Sequence, residues 1–224
     1  MIQHELLMAV AAPLLVIGRP FVVALWLLPR RWRRPVAGVA RNSGVRRAWA
    51  AVSQPFVAWL IHALAIWLWH VPPLFDGAVR NDLVHVLQHA SFLGSALLFW
   101  WTVAHPVRRS NRGVAIVALF TTAIHTAVLG ALMTFARRPW YDVYASIGGV
   151  SPLADQQLAG MIMWIPASLA YLIAALAVMR RWLADSELEP FRAQRSIAFT
   201  GAVDQPRENS DPASELLLGM PRPS

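Results

Sequence analysis

The chain has no cysteine, which excludes disulfides, thiolate metal sites and cysteine nucleophiles. Charge is also scarce. Only 14% of the 224 residues are Asp, Glu, Lys or Arg, against 57% hydrophobic residues. With a mean hydropathy of +0.45, this is too apolar for an ordinary soluble domain of that length. Acids are fewer than bases, 12 against 20, and the net charge of +8 is carried by arginine. A pI near 11.4 would suit a phosphate backbone, but the arginines fall in short blocks between apolar runs, the pattern of cytoplasmic loops. Composition therefore reads as an integral membrane protein, with lipid and not nucleic acid as its surroundings. The first apolar run follows His4 and Glu5 with no basic stretch before it, so no cleavable signal peptide is evident. No nucleophile elbow and no zinc-protease helix motif occurs, so a hydrolase is not supported.

Apolar runs are what the chain has instead. We expect an all-α, polytopic transmembrane helix bundle of about five spans in a domain over residues 1–183, and a disordered cytoplasmic tail over 184–224. The first run, Leu6 to Leu28, is interrupted at Gly18-Arg19-Pro20, where a kink is expected. An acid-free block from Arg30 to Arg47 follows and marks the cytoplasmic side. The second run, Trp49 to Trp69, closes at His70-Val71-Pro72-Pro73, with a short loop carrying Asp76, Arg80 and Asp82 beyond it. The third, Leu83 to about Ala104, has Trp100 and Trp101 as an expected interfacial belt. The fourth runs from Gly113 to Ala136, and its Gly130-Ala131 suits close helix approach. The fifth, Leu158 to Leu183, follows Ser151-Pro152, an expected helix cap with proline at the first position. The loop bias places the N-terminus outside and the C-terminus inside, although Arg137 and Arg138 then fall in an external loop.

That topology puts the chemistry at one level. His4 opens the first helix, His70 ends the second, and His85 and His89 open the third. A spacing of four stacks the last two on one helix face, roughly 6 Å apart along the axis. Met8, Met133, Met161, Met163 and Asp155 come from outer portions of helices one, four and five. Thioethers and imidazoles are soft to borderline donors that suit Cu(I), whereas a hard cation would need several carboxylates, so copper is the expected metal. The bland alternative is that the histidines bond between helices and the methionines fill gaps. His62 and His125, deeper in the membrane, are candidates for haem ligation from two helices. A proton pathway would need more buried carboxylates.

Longer motifs carry a resemblance. Gln3-His4-Glu5-Leu6-Leu7-Met8 with Ala11-Ala12-Pro13, Trp67-Leu68-Trp69-His70-Val71-Pro72 and His85-Val86-Leu87-Gln88-His89 are its first three parts. Phe99-Trp100-Trp101, Thr134 to Tyr141 and Ser151 to Gly160 with Trp164-Ile165-Pro166 complete it. Over roughly Gln3 to Leu183 the chain resembles the CtaG-like multi-span membrane family of cytochrome c oxidase assembly factors. The resemblance implies a non-enzymatic role in maturing a haem-copper oxidase at its copper site, in a bacterial inner membrane, with oxidase subunits as partners. A copper transporter or a haem-binding electron carrier is the competing class. His4, His70, His85, His89 and Asp155 fall on the family's motif positions, and Met8, Met133 and Met161 join them as expected metal ligands. Similar members carry a histidine four residues before the position of His4, so an N-terminal helical portion preceding Met1 is expected.

Overall fold

A computed structural model describes residues 2–18, 29, 38, 41–106, 110–141, 143 and 151–203. Every regular element among them is helical except a single 3₁₀ residue, and there is no strand. The helices are α1 Ile2–Gly18, α2 Ser43–Val52, α3 Pro55–Trp69, α4 Pro72–Arg80, α5 Asp82–Ala104, α6 Ser110–Thr134, α7 Pro152–Ile162 and α8 Ser168–Val203. Two stretches are π-helical: Leu6–Ala11 within α1, and Met163–Ala167, which joins α7 to α8.

Local chemistry sets the helix starts. The side chain of Asn42 accepts from the amides of Gly44 and Val45 at 2.8 and 3.3 Å. Asn81 does the same for Leu83 and Val84 at 2.9 and 3.3 Å. Ser151 accepts from Ala154 at 3.1 Å with Pro152 behind it, as the sequence predicts. Pro72 and Pro73 end one helix and begin another, because a first-turn proline loses no needed donor. The expected loop carrying Asp76 and Arg80 is therefore the helix α4.

Helix α5 is central, packing against α1, α3 and α4, while α6 packs against α3, α7 and the π segment that follows it. Among the described residues, three helices are long and apolar enough to cross a membrane: Asp82–Ala104, Arg112–Thr134 and Pro152–Glu187. A fourth counts if α2 and α3, bent by 70° at their junction, form one span. The expected second run, Trp49 to Trp69, straddles that bend. The first expected run is described only as far as Gly18, and the Arg19-Pro20 kink lies outside the described residues. Of the expected belt, Trp100 is 7% exposed and bonded within the core, whereas Trp101 is partly exposed against Trp49 and His105.

The chain divides into two units at Arg181. In the second, helical backbone is described to Val203, which carries helix into the tail expected to be disordered over 184–224, and residues 204–224 lie outside the described residues. The core of the first unit gathers Met8, Phe92, Phe99, Trp100, Leu119, Met133, Met163 and Tyr171.

At the middle of this core, both ring nitrogens of His62 are engaged, Nδ1 with Ser95 Oγ at 3.2 Å and Nε2 with Tyr171 OH at 3.1 Å. Such a bonded histidine ties three helices together. Both ring nitrogens of His125 lack a partner, and its ring lies 6.2 Å from that of Trp59.

Candidate metal centre

The opening of α5 supplies the first wall. His85 and His89 stack with ring centroids 4.4 Å apart and planes 25° apart, as their spacing predicts. His85 is exposed and His89 half-buried. His89 Nδ1 donates to the His85 carbonyl at 3.1 Å; a carbonyl only accepts, so Nδ1 carries a proton and Nε2 is the nitrogen open to a metal.

The first turn of α1 supplies the second wall. His4 is 8% exposed, its ring lying 4.6 Å from His89 at 61° and 4.9 Å from Phe92. Its Nδ1 is buried with no hydrogen-bond partner. His70, at the end of α3, meets the same Phe92 ring, with centroids 6.4 Å apart. Its Nδ1 donates to the Ile66 carbonyl at 2.7 Å, which leaves Nε2 as an acceptor that is buried and unpartnered. Tyr141 OH donates to the His70 carbonyl at 3.1 Å and pins the helix end.

Burial fixes the charge state of these rings. His4 precedes the first apolar run and His70 follows Trp69, so both lie outside the apolar spans. Desolvation by burial holds His4 down to about 3, and the basic groups near it act in the same direction. Burial also pushes His70 down, against the opposing effect of its bond to Ile66. Neutral imidazoles are the form that binds metals, and an N–H held by a carbonyl orients the other nitrogen as it does in metal-ligating histidines.

The remaining predicted residues divide. Asp155 is half-buried in the first turn of α7, where its charge also suits the helix dipole. Among the described residues, no group of three or more His, Cys, Asp or Glu is placed to hold a metal ion. A hard-cation cage is therefore not formed. Met8 and Met133 are buried at 3% and 0% exposure, but Met161 is 42% exposed, and it is Met163, at 2%, that enters the core. A buried imidazole nitrogen without a partner on each of His4 and His70, with no cluster of hard oxygen donors among the described residues, fits a soft, low-coordinate cation. His4 and His89, whose rings are in contact, are the residues that would hold it; His70 meets the same Phe92 ring but forms no three-residue group with them.

The family model described as cytochrome c oxidase caa3 assembly factor matches residues 1–185. An uncharacterized protein of Mycobacterium bovis and another of Mycobacterium tuberculosis are each 29% identical to the chain over 222 residues, 92% of this chain. The chain spans 32% of the length of these relatives. No solved structure matches.

Proposed function

This chain belongs to the family of cytochrome c oxidase caa3 assembly factors, and from that membership we propose that it takes up Cu(I) and passes it toward the copper site of the oxidase. Copper here is cargo. The observation that carries the reading is the contact of His4 with His89 at 4.6 Å, beside a buried, unpartnered nitrogen on each of His4 and His70. Imidazole–metal bonds of about 2 Å bring two rings to one ion with little more than a side-chain rotation. Two or three soft donors hold Cu(I) loosely enough to release it, which delivery requires.

In this reading the chain spans a bacterial plasma membrane about five times, with its N-terminus outside, its 184–224 tail in the cytoplasm, and oxidase subunits as its partners. The family role is assembly, so no bond-making step is assigned to any residue. Haem ligation by His62 and His125 is disfavoured, since both ring nitrogens of His62 are already engaged and one of the two bonds would have to be given up to the iron.

The test is a His4→Ala/His89→Ala double variant in its native host. The oxidase is expected to accumulate with reduced copper and activity, and the purified wild-type chain to bind Cu(I) without a Soret band. Oxidase with a full copper complement in the variant would overturn the proposal.

A further inference from the structure

The two π-helical stretches have a common cause and a common effect. Each has a proline within it or just beyond its cap, Pro13 after the cap residue Ala12 of Leu6–Ala11 and Pro166 within Met163–Ala167. In an α-helix every step of four residues overshoots a full turn by about 40°, so a line of such steps winds off any face. The wider π turn takes up that excess. His4, Met8, Ala12 and Val16 therefore share one buried face of α1, and Met163, Ala167, Tyr171 and Ala175 one buried face of the last helices.

Depth follows by counting. Tyr171 stacks on Trp100 at 5.7 Å and lies 6.1 Å from Phe99, so those three are level. Eight residues back from Tyr171 is Met163, and seven back from Phe99 is Phe92, a retreat of about 10–12 Å along either helix at 1.5 Å per residue. Phe92 is the ring on which His4 rests, 4.9 Å away. In agreement, Ile2–Glu5 of α1 packs against Met163–Ala167. Met163 is thus buried at the level of His4, with Met8 one turn deeper on the face that His4 shares.

We infer that Met163, with Met8 as its neighbour, supplies the thioether half of the copper site whose imidazole half is His4 and His89, and that Met161 has no part in it. The inference rests on the Cu(I) reading above and deepens it. Three donors of this mix, two nitrogens and a sulfur, favour Cu(I) over Zn2+ or a hard cation.

The full chain, purified in detergent after selenomethionine labelling and loaded anaerobically with Cu(I), tests this by X-ray absorption at the copper edge. A Cu–Se shell is expected beside nitrogen scattering, unchanged in M161L and diminished in M163L. Competition with a chromophoric Cu(I) chelator is expected to show affinity about tenfold weaker for M163L alone. Leucine conserves volume at a buried methionine, and thermal unfolding of each variant checks that the fold is kept. A Cu–Se shell and affinity untouched in M163L, or wild-type copper bound by nitrogen alone, would overturn the inference while leaving the histidine reading standing. Wild-type protein that binds no Cu(I) would overturn both.

Discussion

His4 and His70 are the residues whose surroundings say most. Each is desolvated, and each has its folded pKa below the ordinary 6.5 of histidine, to about 3 for His4. Between those limits the unfolded chain binds more protons than the folded one, so stability rises with pH. The contribution is complete above about pH 6.5 and is lost as the pH falls toward 3, by at most about 1.4 kcal/mol per pH unit for each ring. Melting in detergent is therefore expected to shift down between pH 7.5 and 5.5, with a shallower slope in His4→Gln; identical slopes would refute the assignment. The His85/His89 pair was legible in the sequence because it needs only helical spacing. The contact of His4 with His89 was not, since it depends on which helices are neighbours. Met163 was harder still: only the four-residue steps to Ala167, Tyr171 and Ala175 hint at it, and those do not suit a plain α-helix.

Helix α1 shows how one proline reshapes a helix. Ala12 N–H donates to the Leu7 carbonyl, and Pro13 has no N–H, so the Met8 carbonyl loses both its α and its π partner. Trp100 Nε1 donates to it at 2.9 Å, which ties this tryptophan into the core. Between α6 and α7 the backbones touch. A Cβ on Gly130 would stand 2.8 Å from both the Gly160 carbonyl and Trp164 Cβ, and one on Gly160 would stand 2.7 Å from the Gly130 carbonyl. Neither neighbour is a flexible side-chain end. Gly130→Ala and Gly160→Ala are each expected to destabilise by about 1–3 kcal/mol, the usual cost of overpacking. Gly94→Ala in α5, with nothing within 4 Å, is expected to be neutral or to stabilise by up to about 1 kcal/mol. Equal melting temperatures for all three would remove the close-packing account. The Gly130-Ala131 signal was readable in the sequence; its partner thirty residues on was not, because small residues mark a close approach without saying to what.

At the scale of the molecule, the all-helical fold followed from apolar run lengths, and the bend between α2 and α3 escaped because Ser53-Gln54-Pro55 interrupts the run without ending its hydrophobicity. Orientation rests on arginine placement, and the cysteine-free chain makes it directly measurable. Arg80→Cys is expected to react with a membrane-impermeant maleimide in intact cells, and Arg47→Cys only after permeabilisation; the reverse pattern would invert the topology. The two π-helical turns carry a consequence for how such a chain tolerates a change of length. Each holds roughly one residue more than an α turn, so removing one there closes the turn and leaves both flanks facing as before. The same deletion elsewhere in a span would swing everything beyond it by about 100°. Among the described residues there are thus two places inside the helices where the residue count is negotiable, and one of them lies on the helix of His4.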